Sequence, residues 1–419
     1  MYRWILGLAA CASALTAGDD PRLDLAFKAQ VQFDHVELAV TPDLRDTLAC
    51  VQTQAGLLPV ATADELPAVH YHKGFCTLAG ATITHRANEF ADAAGEFEKT
   101  IETWPGRPRH DKNKSPEPLS PAVNVLASLA RLNAGWDEST LYREQSQLTT
   151  YTQNAACATG MVTPGFCQDV LQAGRVWLGW MALRHDLLNE AAPYFAGSSR
   201  TGWPEWVRGR QAFAARQYSE AARLYQQSIE MQKREPASML GRLGPRADLP
   251  AELADLGGAL LLAGNRTAAI AALDEAVKDE PSNAHALYLR ARTKELSHQM
   301  DAALTDYNLA SRAALAGAKD LASGDAHLYR GILLYRRKDY AQAEAEFANA
   351  LNFDISAGLR PDASAWRHLA AVSNGSCAAS RQYLQRSLSS VSPWFPVDEA
   401  RTALAACPST ASPPPANRP

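Results

Sequence analysis

Six times along this chain a small residue is followed at +4 by a larger apolar one, and three residues later by a second small one. The copies are Ala93/Phe97/Thr100, Ala191/Phe195/Ser198, Ala221/Tyr225/Ser228, Ala269/Leu273/Ala276, Ala303/Tyr307/Ala310 and Ala343/Phe347/Ala350. Steps of four and three keep the three side chains on one face of an α-helix. The copies are most regular from Leu253, Gly257, Leu260, Ala269, Leu273, Ala276 and Pro281, restated 34 residues later by Leu287, Ala291, Ala303, Tyr307 and Ala310. Six extra residues precede the next copy, Gly331, Leu334, Tyr340, Ala343, Phe347 and Ala350. Upstream, Gly179, Ala191 and Phe195 are answered 30 residues on by Gly209, Ala221 and Tyr225. Ala379 and Tyr383 read as a weaker last copy, with Arg367 where a small residue is expected. A unit with such a face cannot bury it alone, so units must stack.

The bulk properties agree. The 419 residues are 47% hydrophobic and 21% charged, as in an ordinary folded protein. A net charge of −4 is too mild to make nucleic acid or an anionic membrane the main partner. No apolar run approaches the roughly 18–20 residues of a transmembrane helix. The fold class is read as all-α.

The regions outside the repeats divide as follows. Residues 1–18 (MYRWILGLAACASALTAG) resemble a secretory signal. Leu8-Ala9-Ala10-Cys11 resembles a lipobox, which would lipidate Cys11, and Ala12-Ser13-Ala14 offers ordinary cleavage. Either implies an exported protein, periplasmic or lipid-anchored in the cell envelope, touching membrane through that N-terminal lipid alone. With a misread start the chain would be a cytoplasmic adaptor. Residues 19–41 contain an alternation at Val31, Phe33, Val36, Leu38 and Val40 that fits an extended arm or a helix. Thr41-Pro42-Asp43 signals a helix start. Residues 42–171 form a helical N-terminal portion with one degenerate repeat (74–107) and a Pro-rich, mostly basic linker (105–121). Residues 172–407 hold the repeat array, with 236–249 as a loop between repeats, and 408–419 are a tail too polar and Pro-rich to pack.

Small residues at unit positions 8, 20 and 27, aromatics at 17 and 24 and Pro near 32 resemble the tetratricopeptide repeat. The matches at 250–283, 284–317 and 324–357 are specific; those at 74–107 and 360–390 are degenerate. The resemblance implies a right-handed α-solenoid of about six antiparallel helix pairs, A then B, acting as a non-catalytic protein-interaction scaffold. It implies that Gly257, Ala291 and Gly331 sit where A meets B, while Leu273, Tyr307 and Phe347 fill the space towards the next unit. Its groove positions carry over to Trp180, Leu183 and Arg184; Trp203, Trp206, Arg210 and Phe213; His285, Tyr288 and Arg292; and Leu328, Ile332, Tyr335 and Arg336. Trp and Arg anchor protein interfaces, and the planar Arg fork suits carboxylates. The expected ligand is a peptide or partner helix with acidic or aromatic groups. The competing readings are that the Trp residues are inter-helix core with solvated Arg heads, and that the chain is a structural subunit of an envelope assembly held by its edges. The family's Lys/Asn clamp is not matched, since Trp180, Arg210, Gly258, Arg292 and Ile332 occupy the Asn positions.

Cysteine usage bears on the compartment. With Cys11 set aside, six remain, and 15 connectivities are open to them. A solenoid keeps distant sequence apart, which favours the local pairs Cys50/Cys76, Cys157/Cys167 and Cys377/Cys407 over other pairings. Buried free thiols are the alternative; bridged cysteines would mean an oxidising compartment.

Catalytic signatures are absent from the sequence: no G-x-S-x-G, H-E-x-x-H, P-loop or G-x-G-x-x-G occurs. An all-helical enzyme without a readable motif is the remaining catalytic reading. His70-Tyr71-His72 suggests a metal pair, yet residues two apart on a helix point in different directions. The expectation is no catalytic residue, no cofactor and no metal.

Overall fold

The computed structural model describes residues 21–39, 43–104, 119–153, 156–157, 161–185, 187–198, 202–234, 238–246, 248–317 and 322–407. The signal-like segment with Cys11, residues 105–118 of the linker and the tail from 408 lie outside them. The described residues form twenty α-helices and no strand, so the chain is all-α, built of antiparallel helix pairs as in an α-solenoid. Two compact units emerge, 1–207 with 230–247 and 208–229 with 248–419. Their division falls inside the stretch 172–407 and not at its start.

The first unit opens with helix α1 (Pro21–Leu38), which settles the choice between arm and helix. Ala29, Phe33 and Val36 form its buried face at steps of four and three, so the apparent alternation is a helical period. Helix α2 (Leu44–Leu57) starts at Asp43, whose carboxylate accepts from the Arg45 amide at 2.6 Å. Two further pairs follow, α3 (Leu66–Thr84) with α4 (Ala87–Thr103) and α5 (Pro121–Ala134) with α6 (Glu138–Gln153). Helices α7 (Pro164–Arg184) and α8 (Leu188–Tyr194) make another pair. Helix α9 (Trp203–Ala214) starts among the residues of this unit. Residues expected to be a plain loop at 236–249 instead contain helix α11 (Met239–Arg242) and the fully buried Leu243. The Leu243 carbonyl accepts from Trp177 Nε1 at 2.7 Å and from Asn133 Nδ2 at 3.0 Å. Those bonds satisfy a buried backbone group and fix the segment against the core.

The second unit takes up most of α10 (Tyr218–Gln232) and then stacks regular pairs. They are α12 (Leu249–Leu262) with α13 (Arg266–Asp279), α14 (Ala284–Leu296) with α15 (Met300–Leu315), α16 (Ser323–Arg336) with α17 (Tyr340–Asn352), and α18 (Arg360–Ser373) with α19 (Cys377–Ser387). Helix α20 (Val397–Ala406) closes the described chain. Sequence reading assigned Phe347 to the space between units. It does stack on Trp366 of the next A helix, with ring centroids 5.8 Å apart. It also lies on its own A helix, where a Cβ added to Gly331 would stand 2.7 Å from Phe347 Cε1. In the last pair the register differs from the expected one: Ser380 and Leu384 are buried, while Tyr383 is 56% exposed. The buried face recurs 37 residues after Ala343 and Phe347, one residue beyond the sequence alignment.

The six cysteines stand in the three local pairs at disulfide distance, with Cα separations of 6.1 Å for Cys50–Cys76, 5.8 Å for Cys157–Cys167 and 5.6 Å for Cys377–Cys407. The first ties α2 to α3; the last ties the start of α19 to the end of α20.

Candidate functional site

In the first unit, Trp180 and Arg184 lie one turn apart on α7. The Arg184 guanidinium carbon sits 4.6 Å from the Trp136 ring and 5.2 Å from the Trp180 ring. Its Nη2 donates to Glu138 at 2.7 Å. Trp136 meets Trp180 edge to face at 5.5 Å, and Trp177 backs the group at 5.3 Å. Trp136, 43% exposed, comes from the turn between α5 and α6, opened by Gly135 at φ 135°, and Glu138 is the first residue of α6; neither belongs to the sequence-predicted groove. Trp203 is buried and stacks on Phe195 at 5.9 Å, so it belongs to the core and offers no surface. Trp206 packs edge-on against it at 6.1 Å and stays half-buried.

The second unit holds the other expected residues. Arg210 and His285 are half-buried. Tyr288 stands 6.2 Å from Tyr307 and 5.6 Å from Tyr329, and its burial pushes its hydroxyl pKa up. Arg292 lies over Tyr329 at 4.5 Å and donates to Glu295 at 2.7 Å. Burial works against its charge, but Tyr307 and Glu295 outweigh that and hold its pKa above the ordinary value. Arg336, on the next A helix, donates to the same carboxylate at 2.9 Å, and the Tyr307 hydroxyl does so at 2.8 Å. Glu295 therefore gathers donors from three successive helices. It occupies position 12 of its unit, a groove position where an acid breaks the aromatic and arginine pattern.

Tyr335, Leu328 and Ile332 depart from expectation. All three are buried, because α18 packs over this side of α16. Tyr335 meets Trp366 at 5.2 Å and donates to Glu399 at 3.0 Å.

The two neighbouring histidines diverge. His70 Nδ1 lies 2.7 Å from Glu96, while His72 stacks on Phe33 with centroids 3.8 Å apart. Among the described residues no group of three metal-binding side chains comes together. No described helix is long and apolar enough to cross a membrane.

Comparison with known proteins bears on the repeats. A family profile described as Tetratricopeptide repeat matches residues 255–318. No curated protein sequence matches the chain. Among solved structures it is similar to yeast Tom70, at 12% identity over 94% of this chain and 90% of that one, with a TM-score of 0.39. It is similar to the APC/C hetero-tetramer Cut9–Hcn1 at 14% identity over 91% and 63%, TM-score 0.45. A tetratricopeptide repeat protein from Parabacteroides merdae shares 11% identity over 68% and 99%, TM-score 0.39. With Leu273 against Gly257 and Tyr307 clustered with Ala291 inside the matched stretch, residues 255–318 are tetratricopeptide repeats.

Proposed function

We propose that the chain is a non-catalytic protein-interaction scaffold. It binds a peptide or partner helix on the A-helix face of its repeats, through Trp180, Arg184 and Trp206 in the first unit and Arg210, His285, Tyr288, Arg292 and Arg336 in the second. The observation that carries this reading is the Arg184 guanidinium resting against two indoles that meet edge to face, one of them 43% exposed. A cation fixed on aromatic faces gives a flat anchor at little further loss of side-chain entropy. Arg292 over Tyr329 repeats the pairing in the second unit. Such anchors favour ligands with acidic or aromatic side chains. In-cell crosslinking and capture with wild type and with a folded Trp180→Ala/Arg184→Glu variant tests it. A partner held by wild type and lost from the variant supports the reading; a partner retained equally by both overturns it for this face.

The same proposal includes export, with Cys11 as a lipidation site. Three local cysteine pairs at bonding distance favour an oxidising compartment. Six alkylatable thiols in natively isolated protein would rule that out.

A further inference from the structure

Where helix A turns into helix B, the backbone passes through the left-handed region. The residue there is Gly264, His298, Lys338 and Gly375 in four consecutive pairs of the second unit, at φ 85°, 61°, 65° and 90°. Among the described residues, the non-glycine positions with positive φ are His85, Arg216, His298 and Lys338, all basic and all at such turns. Glycine enters this region without steric penalty, and asparagine commonly replaces it. A residue with a Cβ costs about 1–2 kcal/mol there. A cation beside a helix C-terminus recovers about 0.3–1 kcal/mol, which does not cover the penalty. Gly264 and Gly375 prove that glycine fits the turn. Stability alone therefore does not account for Lys338.

The surrounding edge is basic as well. Residues 262–266, 296–301 and 337–340 carry Arg266, Arg337 and Lys338 against Asp301 and Asp339, while Arg336 is turned to Glu295 on the A-helix face. Asp339 is occupied as the cap of α17. Of the opposite turns, 279–283 and 352–359 hold Asp279, Glu280 and Asp354 and no Lys or Arg, and 316–322 pairs Lys319 with Asp320 in sequence. Two bonds show that neighbouring turns adjoin: Arg266 Nη1 donates to the Leu296 carbonyl at 2.7 Å, and Arg337 Nη1 to Asp301 at 2.7 Å. Leu262 and Leu296, each the last residue of its A helix, are 53% and 40% exposed on this edge.

We propose that this edge docks an acidic amphipathic peptide segment. Its carboxylates meet Arg266, Arg337 and Lys338, and its apolar side chains cover Leu262 and Leu296. The exposed leucines favour a peptide over a nucleic-acid strand, whose bases would seek exposed aromatic faces; no large aromatic in these turns is exposed. The edge uses none of Arg184, Tyr288 or Arg292, so it and the A-helix face succeed or fail separately.

The test is fluorescence anisotropy at low ionic strength with a labelled peptide of aspartate and glutamate carrying leucines at helical spacing. Controls are a leucine-free polyglutamate and phosphatidylglycerol vesicles. Arg337→Ala/Lys338→Gly and Leu262→Asp/Leu296→Asp should each weaken peptide binding about tenfold. Lys338→Gly alone should leave the melting midpoint level or raised, which separates lost binding from lost folding. The proposal is overturned by absence of saturable peptide binding, by wild-type affinity in either double variant, by polyglutamate binding as tightly as the leucine-bearing peptide, or by binding to vesicles in place of the peptide.

Discussion

Gly257 and Leu273 approach so closely that a Cβ built on the glycine would stand 2.4 Å from Leu273 Cγ and 2.7 Å from its Cδ2. The contact joins helix A to helix B of one repeat. Gly257→Ala should therefore destabilise by about 1–3 kcal/mol through overpacking, although alanine favours helix by about 1 kcal/mol. Urea denaturation of Gly257→Ala, Leu273→Ala and the double variant would show the coupling, the double variant recovering part of the sum. Gly257→Ala as stable as wild type would contradict the packing.

Ala343 is fully buried between its own A helix and the next pair. Ala343→Glu adds volume and an ionisable group without a partner, and should cost about 3 kcal/mol or more. An unchanged thermal midpoint would sink the repeat assignment at residues 324–357.

Stability of the first unit should fall with acid. Burial against Phe33 lowers the His72 pKa from 6.5 to about 3, so the ring is neutral when folded. Its contribution is complete above the unfolded value of 6.5 and is lost as pH falls from there towards 3. At about 1.4 kcal/mol per pH unit, moving from pH 7 to pH 5 should cost about 2 kcal/mol. Burial opposes the charge of Glu96, but His70, Lys99 and Lys73 hold its carboxyl below the ordinary range, so its loss runs in the same direction at lower pH. His72→Phe should flatten the dependence between pH 7 and pH 5 in chemical denaturation. A slope identical to wild type would assign it to other groups.

The bridge between Cys377 and Cys407 spans 30 residues and closes a loop around α19 and α20. Replacing both cysteines by serine should cost about 3–4 kcal/mol by loop entropy. In a stack where each pair touches its neighbours, the effect should stay local. Hydrogen exchange should accelerate in α20, which Tyr335 to Glu399 at 3.0 Å and Arg381 to the Cys407 carbonyl at 2.7 Å also hold. Faster exchange spread evenly to α12 would contradict that locality.

Helical periodicity in the chain was enough to specify the repeated face. Every residue of the six recurring faces, from Ala93 to Ala350, is buried, none more than 7% exposed. That was legible because the period of an α-helix fixes which residues share a face, whatever lies opposite. The local cysteine pairs were legible for a related reason, since stacked pairs bring close sequence together. The fate of the aromatic and charged side chains was decided by tertiary structure. Tyr335 and Trp203 fit the groove pattern, yet what packs over them makes them core. Trp136 entered the Arg184 cluster from a turn far off in sequence, and Glu295 gathered donors from α14, α15 and α16. Exposure and pairing depend on the neighbouring elements in space, and a pattern read along one helix does not contain them.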